Sequence, residues 1–485
     1  MSSELRFTSA LELAALVRAK VVSPVELVEE YARCIDHLNP RLGAYLTVAT
    51  DEAITVARAA ERQLSRQNDL PPFHGVPIAI KDLNDTAGIR TTHGSALLAS
   101  HVPTRDGAVV RRIKDAGFIV HGKTNTPEFG FSFVTEPPAY FPARNPWDLS
   151  RTPGGSSGGA GAAVAAGMTP IAQGSDAGGS IRVPAAVCGL FGIKPSRGRV
   201  SAAPYSDTLH WQNGPIARTV ADAAALLDVM TGYETGDAWS ARPPERPFLA
   251  EASTTPQPLR IAVSFGGVLT IGEVRDAVVS FASLLADLGH RIEEADPAES
   301  WAVLPDRDEA ATDAARAGVN LSRCQILNAL SEDDLDALDP VNRYLLSAST
   351  GYPASSYAVG LEQEALTARA LVHFWRAHDV LLTPVVATAP IRVGEGRDGP
   401  PSDLLDIWDH FAPFTDIWNT TGQPAVSLPI GFDASGLPLG VQLVGPPDGE
   451  AMLIQLAAQA ESARPWIGQR PLLADHAIPD HTPGA

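Results

Sequence analysis

Two glycine–serine segments joined by a run of small residues constrain the fold of this chain more than any other feature. The segments are residues 153–159 and 174–182, and residues 160–166 between them are glycine, alanine and valine. Glycines beside serines let the backbone approach a ligand closely and point N–H groups at it. A flexible linker would not need a compact Ala/Val helix in its middle. The pattern therefore predicts two ordered loops that a short helix brings to one site.

Two familiar motifs are disfavoured for these loops. A phosphate-binding P-loop has a lysine after its last glycine, and neither loop has one. Residues 154–158 match the G-x-S-x-G nucleophile elbow, but that elbow follows an apolar strand. Residues 145–152, which precede it here, are not apolar. An α/β-hydrolase is therefore disfavoured.

The two loops, together with residues 75–82 (GVPIAIKD), resemble the amidase signature family. Further matches to the family lie at residues 122–125, 145–147, 192–195, 214–218 and 421–425. The resemblance implies an α/β fold: a single large α/β/α domain, residues 1–485, with a mixed central β-sheet flanked by helices. It also implies a catalytic signature core at residues 70–220 and a variable substrate-pocket region at 221–410.

The family pattern carries over onto individual residues of this chain. It implies Ser180 as nucleophile, Ser156 as proton relay and Lys81 as base, with a cis peptide bond between Gly155 and Ser156. The backbone N–H groups implied for the oxyanion hole are those of Ala177, Gly178, Gly179 and Ser180. Ser157 is expected to orient the loop, and Asp176 and Arg182 to form a supporting ion pair, although a purely structural role for the two charges is equally compatible.

These residue types suit the hydrolysis of an amide. A serine hydroxyl is a weak nucleophile until a base takes its proton, and a neutral lysine can be that base. Lowering a lysine pKa from about 10.4 to about 7 requires the cation to be destabilised by roughly 4–5 kcal/mol, which burial can do. Lys81 follows the apolar residues 76–80, and this position predicts burial.

Other residues are open to two interpretations. Tyr205 and Trp211 are candidates for a substrate pocket around the acyl or amine group, but aromatic side chains serve equally well in a core. Cys188 lies among apolar residues, which favours a core thiol over a nucleophile.

Alternating patterns elsewhere predict layered helices and strands. Residues 23–26 form a capping box with proline at the first helical position. Strands are predicted at 259–263, 291–293, 425–430 and 439–444, and helices at 106–116, 274–288 and 451–460. The proline-rich residues 241–258 are the best candidate for a linker, and the acidic residues 332–336 are expected to begin a solvated helix.

Net charge and composition limit the kinds of partner that this chain is expected to bind. The formal net charge of −19 disfavours nucleic acid and anionic membranes. Three distant cysteines and no histidine pair at ligand spacing predict no disulfide framework, no metal and no cofactor. No signal peptide is evident in residues 1–10, so a cytoplasmic location is expected. The expected partner is a small-molecule amide or carbamate, and a homodimer is compatible with the sequence.

Three functions stay open on the sequence. The favoured one is a hydrolase of acylamides, amide oligomers or carbamates, because residues 122–128 and 135–137 are similar to nylon-oligomer hydrolases of the family. The second is the amidase subunit of a tRNA-dependent glutamine amidotransferase, although residues 201–213 do not resemble its glutamine-binding segment. The third is a non-catalytic scaffold, which would have no need of a buried lysine.

Overall fold

The computed structural model describes residues 5–66, 69–205, 210–297, 330–349 and 353–475. The strands of this part of the chain are β1 (Tyr45–Val48), β2 (Pro77–Lys81), β3 (Ile119–Thr124), β4 (Ile171–Asp176), β5 (Phe191–Lys194), β6 (Gln212–Ala217), β7 (Arg260–Val263), β8 (Arg291–Glu294), β9 (Val380–Pro384), β10 (Ala425–Phe432) and β11 (Pro438–Val444). They form one sheet in the order β1-β3-β2-β4-β6-β5-β10-β11-β9-β7-β8.

The α-helices of the described residues surround this sheet. They are α1 (Ala10–Arg18), α2 (Pro24–Leu42), α3 (Thr50–Leu64), α4 (Ala108–Asp115), α5 (Gly158–Ala165), α6 (Arg182–Cys188), α7 (Val220–Met230), α8 (Phe248–Glu251), α9 (Gly272–Asp287), α10 (Glu332–Asp336), α11 (Pro340–Ser349), α12 (Ala354–Phe374), α13 (Pro401–Phe411), α14 (Ile417–Thr420) and α15 (Glu450–Ala463). None of them combines the length and apolarity needed to cross a membrane.

The sheet is mixed. Strand β2 runs parallel to both β3 and β4, whereas β4, β6, β5, β10, β11 and β9 pair antiparallel in turn. At the far edge, β9, β7 and β8 are parallel again. The predicted α/β class with a mixed central sheet is confirmed, and the strands from residues 70–220 occupy adjacent positions in it.

Both faces of the sheet are covered by apolar residues. Successive side chains of a strand point to opposite faces, so a buried strand contributes to both cores. On β2, Ile78 and Ile80 lie in the larger hydrophobic core, whereas Ala79 between them lies in the second core. The second core also contains most of α5 and α6. The site-bearing helices therefore lie on the face opposite Ile78 and Ile80.

Local signals set several helix boundaries as predicted. The Ser23 side chain accepts from the backbone N–H of Glu26, the Glu26 carboxylate accepts from the Ser23 N–H, and Pro24 is the first residue of α2. The acidic run 332–336 forms α10 behind Ser331, which accepts from the Asp334 N–H.

The prediction of a linker at residues 241–258 is wrong. This segment contains α8, in which Phe248 is buried in the main core. The Asp228 carboxylate accepts the N–H groups of Phe248 (2.6 Å) and Leu249 (2.9 Å), which fixes the first turn of the helix. Phe248 in the core and the Asp228 carboxylate thus help to anchor this proline-rich stretch on the body of the domain.

Candidate active site

Lys81 lies at the carboxyl end of β2 with no exposed surface. All five residues of this strand are buried, because β3 and β4 pair with its two edges and a hydrophobic core covers each of its faces. The Lys81 Nζ donates to Ser156 Oγ at 2.7 Å, to Ser175 Oγ at 3.0 Å and to the Ser175 carbonyl at 3.3 Å. The side chain thus has three oxygen acceptors and no access to solvent.

Burial lowers the pKa of Lys81 well below its ordinary value, and the negative charge of Asp176 opposes this only in part. An ammonium ion removed from water is destabilised relative to the neutral amine. The amine of Lys81 can therefore accept a proton from Ser156, its nearest partner.

Ser156 follows a cis peptide bond with Gly155, as the resemblance implied. No side chain fits at position 155, since a Cβ there would lie 2.7 Å from the Ser132 carbonyl oxygen and from the carbonyl carbon of Phe133. The backbone of this loop therefore packs directly against residues 132–134.

Ser157 joins the two glycine–serine loops. Its Oγ donates to the Ser175 carbonyl at 3.0 Å and accepts from the Ser175 N–H at 3.3 Å. Its backbone N–H donates to the Ser180 carbonyl at 3.2 Å. Ser156 and Ser180 are thereby held in one bonded unit, and both are almost completely buried.

The loop that carries Ser180 is wrapped around the buried carboxylate of Asp176. One oxygen accepts from the Gly179 N–H at 2.8 Å, and the other accepts from the Ile181 N–H at 3.1 Å. Arg182 donates to both oxygens, through Nη2 at 2.8 Å and Nε at 2.9 Å. The expected Asp176–Arg182 ion pair is present, with neither side chain exposed.

The charges of this pair compensate each other. Burial alone would raise the pKa of Asp176, but the adjacent Arg182 guanidinium and its hydrogen bonds hold that pKa well below its usual range. Such a pair is destabilising to break, because either partner left alone is an uncompensated buried charge.

Backbone N–H groups near Ser180 differ in their availability. The N–H of Gly179 is committed to Asp176. Ala177 is exposed and Gly178 half-buried, at the open side of the loop. Of the four positions expected to form an oxyanion hole, Ala177, Gly178 and Ser180 have N–H groups with no hydrogen-bond partner among the described residues.

Several residues of the site were not foreseen from the sequence. Gln173 and Ser175 lie two positions apart on β4 and bond respectively to the backbone N–H and the Nζ of Lys81. Thr415 Oγ1 donates to the Gly178 carbonyl, and Asn419 Nδ2 donates to the Asp176 carbonyl at 2.9 Å. The alternation of a strand could have revealed Gln173 and Ser175, whereas no local pattern links residues 415–419 to the loop.

Tyr205 and Trp211 pack against each other, with ring centroids 5.6 Å apart. Tyr205 is half-buried, and its hydroxyl accepts from the Asp85 N–H at 3.0 Å. The carbonyl of His210, beside Trp211, accepts from Asn419 Nδ2 at 3.0 Å, which connects this aromatic pair to the loop of Asp176. Their role in a substrate pocket stays a prediction.

Cys188 is buried, and burial raises the pKa of its thiol. This agrees with a core thiol. Cys324 lies outside the described residues.

Known proteins share both the sequence and the fold. The family model described as Amidase matches residues 26–454. A putative amidase from Synechocystis sp. is 40% identical over 473 residues, which cover 93% of this chain and 88% of the relative. A solved structure of 6-aminohexanoate cyclic dimer hydrolase complexed with substrate matches with a TM-score of 0.88 and 32% identity, and covers 97% of this chain and 100% of that one.

A solved structure of one component of glutamyl-tRNA(Gln) amidotransferase, from Thermotoga maritima, matches with a TM-score of 0.77 and 29% identity, over 96% of this chain and 97% of that one. The family model matches most of the chain, and the Synechocystis relative is 40% identical over 93% of it. These matches establish the family that the motifs and the buried lysine indicated. The chain belongs to the amidase family and is a hydrolase of that family.

Proposed function

We propose that this chain hydrolyses amide bonds through an acyl-enzyme on Ser180, with Ser156 as proton relay and Lys81 as base. The observation that carries the proposal is the 2.7 Å distance between Lys81 Nζ and Ser156 Oγ, in an environment that favours the neutral amine, whose lone pair can accept the Ser156 hydroxyl proton. A lysine there can activate a serine as histidine does in other hydrolases.

The reaction balances with these groups alone. Ser180 Oγ attacks the amide carbonyl, its proton passes to Ser156, and the Ser156 proton passes to Lys81. The proton then returns through Ser156 to the leaving nitrogen as the C–N bond breaks. Water attacks the resulting ester by the reverse relay, which releases the acid and restores Ser180.

The backbone N–H groups of Ala177, Gly178 and Ser180 are the donors proposed for the oxyanion. Preorganised donors at this position stabilise the charge that develops on the carbonyl oxygen. Gly179, the fourth expected donor, serves instead to hold the Asp176 carboxylate in this structure.

The proposed substrates are acylamides, amide oligomers or carbamates. The likeness to a hydrolase of a cyclic amide dimer supports the oligomers among them. We propose that residues 221–410, together with Tyr205 and Trp211, line the pocket. The cytoplasmic location and the homodimer are predictions that cell fractionation and light scattering would test.

The amidotransferase component is the second candidate, because the chain also resembles that protein along nearly its whole length. The lower TM-score, 0.77 against 0.88, favours the independent hydrolase. Glutaminase activity that appears only when the other amidotransferase components are added would reverse this preference.

Intact mass after treatment with a fluorophosphonate tests the nucleophile without knowledge of the substrate. We expect one adduct on the wild type, none on Ser180→Ala, and a much slower reaction of Ser156→Ala. An adduct that survives Ser180→Ala would make Ser156 the nucleophile. No adduct on the wild type would favour the scaffold or the partner-dependent amidotransferase component.

A further inference from the structure

The carboxylate of Asp416 lies against the loop that carries Ser180. A Cβ placed on Gly178 would stand 3.1 Å from Asp416 Oδ1, so the carboxylate is a close neighbour of Gly178. The position is fixed by the residues on either side of it. Thr415 donates to the Gly178 carbonyl, and Asn419 donates to the carbonyl of Asp176.

Asp416 is exposed, whereas Thr415, Trp418 and Asn419 around it are buried. Within the described ranges, no donor bonds to its side-chain oxygens. A carboxylate held beside a reactive loop and left accessible is available to a ligand.

The basic side chains nearest to Asp416 are already engaged with other groups. Arg182 is bonded to Asp176, Gln442 and Asn419. His210 Nε2 lies 3.2 Å from Glu364 Oε1. Glu364 and Asp409 add further negative charge nearby.

Within the described residues no basic side chain forms a close pair with the Asp416 carboxylate, which is left to solvent or to a ligand. Surrounding protein raises the pKa of Asp416, Glu364 and Asp409 raise it further, and His210 and Arg182 oppose the shift only in part. A bound cation would stabilise this carboxylate.

This charge also acts on the reaction. Attack by Ser180 places negative charge on the carbonyl oxygen beside residues 177–180, and a free carboxylate a few ångströms away repels it. For a neutral substrate this repulsion therefore raises the free energy of the transition state. A substrate that brings its own positive charge to Asp416 converts the repulsion into an attraction.

We propose that Asp416 is a specificity-determining residue that selects amides carrying an ammonium group close to the scissile bond. The proposal rests on the proposed amidase function and narrows its substrate class. The simpler interpretation is a solvated surface carboxylate, but such a residue has no reason to be pinned beside Gly178 by bonded residues on both sides.

Matched substrates give the test. We would measure kcat/KM for glycyl and 6-aminohexanoyl p-nitroanilides against the acetyl and hexanoyl p-nitroanilides of the same length. The wild type should prefer at least one cationic member over its neutral partner by roughly 10- to 100-fold, the range expected for a close charge pair. Asp416→Asn should remove this preference by slowing the cationic substrates more than the neutral ones.

Asp406→Asn is the matched control, because Asp406 is an exposed residue of the neighbouring helix α13 and its substitution removes the same charge. It should keep the preference. Asp416→Lys should reverse it in favour of a glutaryl p-nitroanilide, which carries a carboxylate.

The proposal is overturned if the wild type shows no cationic preference for either length, or if Asp416→Asn slows the cationic and neutral substrates equally. Fluorophosphonate labelling of Ser180 separates these results from failure of the amidase function. Labelling without cationic preference leaves the hydrolase intact and removes only the role of Asp416. Absence of both labelling and turnover would remove the two proposals together.

Discussion

Lys81, the proposed base, shows at the scale of a single residue how the surroundings of a common side chain change its chemistry. The residue is an ordinary lysine in the sequence, and its chemistry comes from the strands on either side of it. The neighbouring strands exclude water, while Ser175 on β4 and Ser156 in the loop before α5 supply only hydroxyl and carbonyl acceptors, at 2.7 to 3.3 Å from Nζ. Hydroxyl and carbonyl groups bind the amine without stabilising its cation as a carboxylate would.

The first prediction concerns the protonation of Lys81. Because only the neutral amine can accept the Ser156 proton, the second-order rate of fluorophosphonate labelling should rise with pH through the Lys81 pKa. Burial places that pKa below the ordinary range of lysine. Lys81→Met should lower the rate by about 100- to 10,000-fold and remove the rise.

Lys20→Met is its control, since Lys20 is exposed and remote from the site in the chain. Labelling of Lys81→Met at the wild-type rate would contradict the assignment of the base.

Helix α5 shows the same dependence on surroundings at the scale of an element. All eight of its residues are buried, so it has no polar face. Its glycines let the backbone of neighbouring segments approach. A Cβ on Gly159 would lie 2.3 Å from the Asn125 backbone nitrogen and 2.5 Å from the Ala44 carbonyl oxygen. Backbone atoms cannot yield as the end of a side chain can.

We therefore expect Gly159→Ala to lower the free energy of unfolding by at least about 1–3 kcal/mol, the usual cost of overpacking. Gly272→Ala is the matched control, because a Cβ at this exposed first residue of α9 meets nothing within 4 Å. It should be neutral or stabilise by about 0.4–1 kcal/mol. Urea unfolding of the two variants would distinguish them, and equal stabilities would show that α5 can shift.

The elements that could be predicted are those set by residues close together in the sequence, and the errors arose where distant residues decide the structure. The capping box of α2 and the apolar runs of β10 and β11 involve neighbours in sequence, so their elements were predicted within a few residues. The linker prediction failed at α8 because the partner of Phe248 and Leu249, Asp228, lies on another element. Lys81, Ser156 and Ser180 came from motif resemblance, whereas Asp416 belongs to no such motif and required coordinates.

Lysine placement is unusual across the whole molecule. The sequence has five lysines, and three of them, Lys81, Lys123 and Lys194, have no exposed surface. They lie on strands β2, β3 and β5 of one sheet. Burial, ahead of all other causes, lowers the pKa of Lys123 to about 8 and that of Lys194 to about 7. Because these pKa values differ from those of the unfolded chain, the free energy of unfolding depends on pH in the neutral to alkaline range.

Lys194 gives the clearest case. Its pKa is about 7 in the folded chain against an ordinary 10.5, so between these values the unfolded chain binds more protons. Stability contributed by this residue therefore rises with pH across that window, by at most about 1.4 kcal/mol per pH unit, and is flat below it.

Comparison of the wild type with Lys194→Met isolates this effect from the tyrosines and cysteines that titrate in the same range. The wild type should gain stability relative to the variant as the pH rises from about 7 towards 10.5. Denaturant titrations at several pH values would measure the difference. A difference that does not change with pH would mean that Lys194 keeps the same charge in both states.

Two hydrogen-bond partners of Arg182 are translated long after Arg182 itself. Its guanidinium reaches the Thr415 carbonyl and Gln442 Oε1, which follow it by 233 and 260 positions in the chain. A ribosome that adds about 5–20 residues per second needs roughly 10–50 s to produce those partners after it has made the serine loop. Until then Arg182 lacks two of its hydrogen-bond acceptors, so the growing polypeptide carries Ser180, the proposed nucleophile, in an incomplete environment. The environment of the proposed active site is therefore complete only after most of the chain has been translated.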